Sequence, residues 1–370
     1  MEDNIEIKLI QKINEKDDNK DENIVFSPIG IEIILSLCSN GAEGETQKEI
    51  LNFLNFNDTE EANKVSKDII EIFKKNGDII KIANAILIRD QPKPKFRITA
   101  EHEYEAKIEE LKNYQQVNEW AKNKTDGKIT NIIDELSPDT IMVLLNALYF
   151  ESFWTKKFNK YHSYQREFFN LDPEQKNIRT LMMFFSGELL NYYENDEIKA
   201  VKLDYETKDA STHSVIILPK MDINTFIKNF NNEKYEEIIK GLDTEKIKVN
   251  LYLPRFEMEF KIELSQILKD LGIKKGFTIE AELKKLSDKS PIHFMNVIQK
   301  NYINVNEDGT QAACVTELEV ILECFRDRDP DAKDFLADKP FIFIIRNDSL
   351  PKGRDIIFFT KLCLMKNKDN

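Results

Sequence analysis

Hydrophobic and polar residues repeat along this chain with two different periods, and the periods separate helical from extended segments. In the first third, an apolar stripe with helical spacing covers residues 33–38, after Ser27 and Pro28 supply an N-cap and a first-turn proline. Residues 60–75 have the same period. One face of this second predicted helix carries four apolar side chains: Val65, Ile69, Ile70 and Phe73. This part of the chain is therefore predicted to be mainly helical.

The later segments follow strand patterns. Residues 140–150 are almost continuously apolar, which predicts a central strand that is covered on both faces. Residues 247–253 alternate, with Ile247, Val249, Leu251 and Leu253 on one face and Lys248, Asn250 and Tyr252 on the other. Residues 341–345 and 356–359 predict two more buried strands, joined by a turn at 347–353. The mixture indicates an α+β protein with several sheets.

One segment combines a strand pattern with the surroundings of a loop. From Gly309 to Glu323, every second residue is small or apolar: Thr310, Ala312, Cys314, Thr316, Leu318, Val320 and Leu322. The opposite face is polar only in the latter half, and the segment continues directly into the charged residues 324–331. Taken alone, this pattern is typical of an edge strand followed by an exposed polar loop.

Composition and charge limit the possible partners. The chain has 370 residues, of which 41% are hydrophobic and 32% charged, as in globular proteins. The net charge of −13 argues against nucleic acid or an anionic membrane as the main partner, because phosphates would be repelled. No apolar run approaches the ~18 residues of a membrane span. Residues 1–16 lack the apolar core of a secretory signal, so we expect a cytoplasmic protein, with release to the outside left open.

Motifs for catalysis or metal binding are missing from the sequence. It contains no GxSxG, HExxH or glycine-rich phosphate loop. Its four cysteines lack CxxC spacing, which argues against a zinc site or a disulfide framework. The histidines are scattered and are interpreted as structural or surface residues: His102, His162, His213 and His293. The sequence therefore predicts that the protein is not an enzyme and that it needs no cofactor or metal.

The residues around the unusual segment resemble a known family. Residues 305–313, Val-Asn-Glu-Asp-Gly-Thr-Gln-Ala-Ala, are similar to the hinge signature of the serpins, the serine protease inhibitor superfamily. Other blocks follow in family order: Asn23–Pro28, Asn40–Thr46, Asn146–Phe150 with Trp154, Leu253–Phe256, Leu271–Ile273 and Asp338–Phe341. The resemblance extends from about Ile5 to Leu364, which is nearly the whole chain.

The resemblance implies a fold and a mechanism. The serpin fold is α+β, with three β-sheets, eight to nine helices and an exposed reactive-centre loop. Here it implies one domain over residues 1–370, with the loop at about 307–335. A target protease would cut the loop and form an acyl-enzyme, and the cut loop would insert as a new strand of the large sheet. This suicide-substrate mechanism distorts the protease before the ester can be hydrolysed. The starting fold must therefore be metastable.

The resemblance also assigns roles to residues of this chain. The hinge would be Glu307, Asp308, Gly309, Thr310, Gln311, Ala312 and Ala313. The breach, where insertion begins, would contain Trp154 and Arg255, with Arg255 forming a salt bridge to Glu307. The shutter beneath it would contain Ser27, Asn146, Gln299 and Lys300. Gln299 replaces a common histidine, so the pH behaviour of the shutter should differ from that of relatives, and Gly30 replaces a common serine. The hinge is expected to be competent for insertion, since Thr310 is small and uncharged.

The bond that is cut remains open at this stage. Family spacing predicts Glu323–Cys324, but the loop is about six residues longer than in most relatives, so the bond after Phe325, Arg326 or Arg328 is an alternative. Phe325 suits a chymotrypsin-like pocket, and either arginine suits a trypsin-like pocket. The predicted protein is thus a monomeric inhibitor of a chymotrypsin-like or trypsin-like serine protease. The alternative is a non-inhibitory serpin fold that binds partners or acts as a chaperone.

Overall fold

The structure is a computed structural model that describes residues 4–76, 79–137, 140–172, 176–288, 292–294, 296–310 and 328–365. Two compact units divide the chain. The first unit comprises residues 1–25, 150–258 and 303–370, and the second comprises residues 26–149 and 259–302. Both units are therefore assembled from segments that lie far apart in the sequence.

Nine α-helices lie in the described part of the chain, in agreement with the predicted number. They are α1 (Ile5–Glu15), α2 (Pro28–Gly41), α3 (Gly44–Leu54), α4 (Thr59–Lys75), α5 (Pro94–Glu103), α6 (Tyr114–Lys124), α7 (Ile223–Lys228), α8 (Asn232–Leu242) and α9 (Ser265–Asp270). The N-cap predicted for α2 is present, because the Ser27 hydroxyl accepts a hydrogen bond from the Gly30 amide at 3.1 Å. None of these helices is both long and apolar enough to cross a bilayer.

Sixteen strands lie in the same described ranges. They are β1 (Ile24–Phe26), β2 (Ile80–Ile88), β3 (Lys107–Glu110), β4 (Met142–Phe150), β5 (Ser152–Phe153), β6 (Tyr164–Phe168), β7 (Ile178–Glu194), β8 (Ile198–Asp204), β9 (Thr212–Pro219), β10 (Ile247–Pro254), β11 (Phe256–Glu263), β12 (Asn296–Val305), β13 (Gly309–Thr310), β14 (Lys333–Leu336), β15 (Phe341–Asn347) and β16 (Ile356–Leu362). They form the three predicted sheets.

Two sheets of the first unit share the long strand β7. Its first part pairs with β6 and β10, and β14 pairs with β10 in parallel. Residues 191–194 of β7 pair instead with β8, in a sheet that continues through β9, β15 and β16. The predicted buried strands 341–345 and 356–359 are confirmed as the antiparallel pair β15 and β16, and their side chains are excluded from solvent.

In the second unit β2, β4 and β12 lie side by side, with β12 parallel to β4 and β3 parallel to β2 on its far side. β4 and β12 pair in register from Val143 opposite Asn296 to Tyr149 opposite Tyr302. All nine residues of β4 are buried, which confirms the prediction of a central strand.

The alternation predicted for β10 is only partly correct. Val249, Leu251 and Leu253 are buried, as predicted, but Ile247 is 37% exposed. Asn250, expected on the polar face, is completely buried. The reason is that Asn250 is hydrogen-bonded to Asp329 and Asp334, residues about eighty positions away, which a local pattern cannot reveal.

Candidate functional site

The predicted hinge begins as a strand that is already seated in a sheet. Strand β12 ends at Val305, the chain reverses over residues 306–308, and Thr310 of β13 pairs back against Val305 in antiparallel register. On its other side, β13 pairs with β5, Gly309 opposite Phe153 and Thr310 opposite Ser152. β13 therefore lies between β12 and β5, although β5 directly follows β4 in the chain. Gly309 and Thr310 of the hinge thus lie between two neighbouring strands of one sheet.

Packing around β13 explains why these residue types are needed. A Cβ atom on Gly309 would lie 2.1 Å from the Ser152 carbonyl oxygen, so only glycine fits. The Thr310 side chain is fully buried, and its hydroxyl lies 2.6 Å from the hydroxyl of Tyr205. Trp154 stacks on Tyr205 with a centroid separation of 4.5 Å. Burial raises the pKa of Tyr205, as expected for a phenol in an apolar setting. The position of Thr310 therefore suits a small neutral side chain.

Glu307 lies in the predicted salt bridge with Arg255. Its carboxylate is only 1% exposed, and one oxygen accepts a hydrogen bond from Arg255 Nη2 at 2.6 Å. The other oxygen accepts from the Ser163 hydroxyl at 2.7 Å. Since Arg255 is 38% exposed, the pair joins a buried anion to a cation that still reaches water. Both carboxylate oxygens are satisfied, so the buried charge is tolerated.

A second set of contacts holds the turn between β12 and β13. The Trp154 amide donates to the Asp308 carbonyl, and its indole Nε1 donates to the Asn306 carbonyl, each at 2.9 Å. The Phe158 amide donates to the Glu307 carbonyl, and Lys160 Nζ lies 2.6 Å from the Asp308 carboxylate. We call Glu307, Asp308 and the residues that hold them (Trp154, Phe158, Lys160, Ser163 and Arg255) the charged hinge site. Sequence reasoning found Arg255 and Trp154 but missed Ser163, Lys160 and Tyr205, which belong to no recognisable motif.

Three of the four predicted shutter residues meet in the second unit. Gln299 Nε2 donates to Asn146 Oδ1 at 2.7 Å and to the Ser27 carbonyl at 2.9 Å. Gln299 Oε1 accepts from the Ser27 amide and from Asn301 Nδ2, both at 2.9 Å. The glutamine thus uses its donor and acceptor groups in one network. Lys300, the fourth predicted residue, instead pairs with Glu259 and donates to the Asn131 carbonyl.

The network continues to one more strand, β2. Asn146 Nδ2 donates to Asn84 Oδ1 at 2.8 Å, so side-chain amides link β2, β4 and β12. Gly30 makes this possible, because a Cβ atom there would lie 2.3 Å from Asn146 Oδ1. We call Ser27, Asn84, Asn146, Gln299 and Asn301 the amide cluster. All of its members are buried and none can be ionised.

Several predicted residues lie outside the described part of the chain. These are Gln311, Ala312 and Ala313 of the hinge, and Glu323, Cys324, Phe325 and Arg326 at the predicted bonds. Arg328 is described, and its Nη2 lies 2.5 Å from Asp334 Oδ2.

Comparisons with known proteins relate nearly the whole chain to one family. A family model described as Serpin (serine protease inhibitor) matches residues 2–363. An uncharacterized serpin-like protein of Methanosarcina mazei is 29% identical, over 88% of this chain and 78% of that protein. Serpin-Z3 of Arabidopsis thaliana is 28% identical, over 94% of this chain and 93% of that protein. The crystal structure of Serpin48, a highly specific serpin in the insect Tenebrio molitor, superposes with a TM-score of 0.80 at 25% identity, covering 98% of this chain and 96% of that chain.

Proposed function

The chain belongs to the serpin family, and from this premise we propose that it inhibits a serine protease as a suicide substrate. Residues 311–327, which we call the bait segment, are offered to the protease and cut. The part that remains attached to Thr310 then enters the sheet between β4 and β12. The observation that supports this proposal is the position of β13, which lies between β12 and β5 and runs antiparallel to both of them.

The chemistry requires that insertion outruns hydrolysis. The protease serine attacks the bait, and the new C-terminal half leaves while the upstream half stays esterified to the enzyme. Insertion then drags the protease away from its working geometry. Deacylation depends on an intact oxyanion hole, so a distorted protease keeps the ester. In this proposal the chain itself catalyses nothing, and all of the bond-breaking groups belong to the target.

The strand registers say where the inserted residues would go. Thr310 lies opposite Ser152 on one side and Val305 on the other. Each further residue moves one position back along both neighbouring strands, so Thr316 would lie opposite Asn146 and Gln299. Those two residues are themselves paired in the register of β4 and β12. The two counts agree, which supports insertion without a shift in register.

This placement gives the amide cluster a role. A strand that separates β4 from β12 must break the hydrogen bond from Gln299 to Asn146. The Thr316 hydroxyl, which can donate and accept, has the right chemistry to bridge the two separated amides. Alternate residues from Thr310 to Leu322 would face the buried side, and none of them is charged. The gain from burying them, together with new ladder hydrogen bonds on both sides, would drive insertion.

The same argument defines the partner. We propose a chymotrypsin-like or trypsin-like serine protease as the target of a monomer in which residues 1–370 act as one domain. Cleavage at Glu323–Cys324 follows family spacing, and cleavage after Phe325 or an arginine follows the preferences of those proteases. A non-inhibitory binding role is the second candidate. It is supported by the long bait segment, while the uncharged, buried Thr310 supports inhibition.

Incubation with trypsin, chymotrypsin and an elastase-like protease tests the proposal. An inhibitor gives a covalent complex that survives denaturing electrophoresis, together with a released C-terminal fragment whose mass identifies the bond. Clean cleavage by all three proteases without any complex would favour the binding role instead.

A further inference from the structure

Asn250 is buried in the middle of β10, where alternation predicts a solvent-facing residue. Its Oδ1 accepts from the Gly187 amide at 3.0 Å. Its Nδ2 donates to the Asp329 carbonyl at 2.9 Å and to Asp334 Oδ1 at 3.0 Å. Gly187 lies on β7, and Asp329 and Asp334 both follow the bait segment, so one fully buried amide joins β7, β10 and the chain after the bait segment.

A bulge in β7 creates the space for this arrangement. The register between β7 and β10 shifts at Asn250, because Val249 lies opposite Glu188 and Leu251 lies opposite Phe185. Gly187 sits in the bulge with φ +59°, and a Cβ atom there would lie 2.5 Å from the Asp329 carboxylate. The bulge therefore makes the Gly187 backbone amide available to Asn250. Because Gly187 has no side chain, the Asp329 carboxylate can pack directly against its backbone.

Charged contacts add to the hold on Asp329. Lys248 Nζ lies 2.9 Å from Asp329 Oδ2 and lowers the pKa of that carboxyl. Asp329 Oδ1 accepts from the Asp331 amide at 2.9 Å, which closes a turn immediately after it. Arg328 is paired with Asp334, whose carbonyl accepts from Lys199 Nζ at 2.9 Å. The backbone and side chain of Asp329 are thus both fixed to the sheet.

We propose that Asn250 and Gly187 form an anchor that prevents cleavage at Arg328–Asp329 and confines the bait to bonds upstream of Arg328. A serine protease holds its substrate as an extended strand on both sides of the bond that it cuts. At Arg328–Asp329, the residue after the bond is bound to Asn250 and turns at once into the sheet. The bonds after Arg326, Phe325 and Glu323 are separated from this anchor by at least one more residue. This inference rests on the proposed function, since it assumes that a protease attacks residues 311–327.

Brief digestion with trypsin, followed by mass measurement of the C-terminal fragment, tests the anchor. Two arginines compete in this experiment, and both are followed by aspartate. We expect the wild-type protein to yield the fragment that begins at Asp327, with little or none that begins at Asp329. Asn250→Ala should raise the ratio of the Asp329 fragment to the Asp327 fragment by about tenfold, the effect of losing one well-placed hydrogen-bonded contact.

Three controls isolate the anchor from other causes. A free peptide spanning residues 320–334 has the same sequence without the anchor, and trypsin should cut it at both arginines. Asn191→Ala removes a buried amide on β7, which donates to the Thr244 carbonyl, and should leave the wild-type fragment pattern unchanged. Lys248→Met removes an exposed cation that pairs with Asp329, and it should give a smaller rise in the ratio of the Asp329 fragment to the Asp327 fragment. This variant keeps the test usable if Asn250→Ala does not fold.

If the wild-type protein gave the same ratio of Asp329 fragment to Asp327 fragment as the free peptide, the proposed anchor would be wrong. An unchanged ratio in both Asn250→Ala and Lys248→Met would also show it to be wrong. If no protease forms a covalent complex while the fragment pattern follows the anchor, the proposed inhibition fails and the anchor stands.

Discussion

The charged hinge site and the amide cluster are held together by opposite means. At the charged hinge site, Glu307 and Asp308 are paired with Arg255 and Lys160, cations whose side chains still reach water. In the amide cluster, every link is a hydrogen bond between neutral groups that are closed off from solvent. The exposed Lys160 pair can exchange with water, whereas a buried carboxylate such as that of Glu307 is costly to leave without its partner. Under the proposed insertion, charged contacts would lie where the strand starts to enter and neutral contacts where it would pass.

The largest expected effect comes from a charge at the start of the inserted strand. Thr310→Arg should abolish covalent complex formation while cleavage continues, because burying an unpaired guanidinium costs several kcal/mol. Electrophoresis of the protease reaction and the rate of cleavage measure the two outcomes. Thr310→Ser keeps the hydroxyl that faces Tyr205 and should still form the complex. A normal yield of complex from Thr310→Arg would show that this residue is not buried during inhibition.

The amide cluster should matter more before cleavage than after it. Asn146→Ala leaves Gln299 and Asn84 with unpaired groups, so we expect the intact protein to lose about 2–3 kcal/mol of stability. The inserted form should lose less, because the Thr316 hydroxyl would then be available as a partner for Gln299. The melting temperatures of intact and cleaved Asn146→Ala, each compared with the same form of the wild-type protein, give the two losses of stability. Equal losses in the two forms would argue against a strand passing between these residues.

Placing a titratable group in the amide cluster should make its stability depend on pH. His213 shows how a buried histidine behaves in this protein. Burial, with the charges of Arg346 and Lys202, lowers its pKa to about 2. A neutral buried histidine stabilises the fold at high pH, and this stability is lost as pH falls below the unfolded pKa of about 6.5, because the unfolded chain binds the proton. Gln299→His should behave likewise and lose up to about 2 kcal/mol between pH 7 and pH 5, relative to wild type.

Denaturant unfolding at several pH values measures this difference. His213 is present in both proteins, so its own contribution cancels. Gln299→Met removes the amide without adding a titratable group and should show the wild-type pH dependence. A Gln299→His protein that grows more stable, relative to wild type, as the pH falls would contradict the account of a dry, neutral cluster.

The smallest effect is expected at the exposed ion pair of the charged hinge site. Lys160→Met removes a cation that pairs with the Asp308 carboxylate, and we expect a loss of under about 1 kcal/mol at low salt. Added salt should shrink this difference, since the cation is partly exposed. The loss in Asn146→Ala should stay constant over the same salt range. If both variants respond equally to salt, the contrast between the two sites is wrong. Arg255→Met, which leaves the buried Glu307 carboxylate with the Ser163 hydroxyl, should cost more than Lys160→Met.

Sequence patterns predicted the parts of this structure that depend on local order. The apolar run of β4, the N-cap at Ser27 and the hairpin of β15 and β16 all follow from neighbouring residues. The hinge residues and Arg255 could be named because they belong to family motifs. Ser163, Tyr205 and Asn250 could not, because their roles arise only when segments 79 to 144 positions apart come together. The need for glycine at position 30 also could not be predicted, because it comes from Asn146, which packs against Gly30.

Insertion of the bait segment into the sheet is the central claim, and the melting temperature before and after a single cut within residues 311–327 tests it most directly. Burying about six further small or apolar side chains should raise the melting temperature by more than about 10 °C, at an ordinary gain per buried group. The rise should be absent in Thr310→Arg. An unchanged melting temperature in the cleaved wild-type protein would show that the segment stays outside the sheet and would contradict the account.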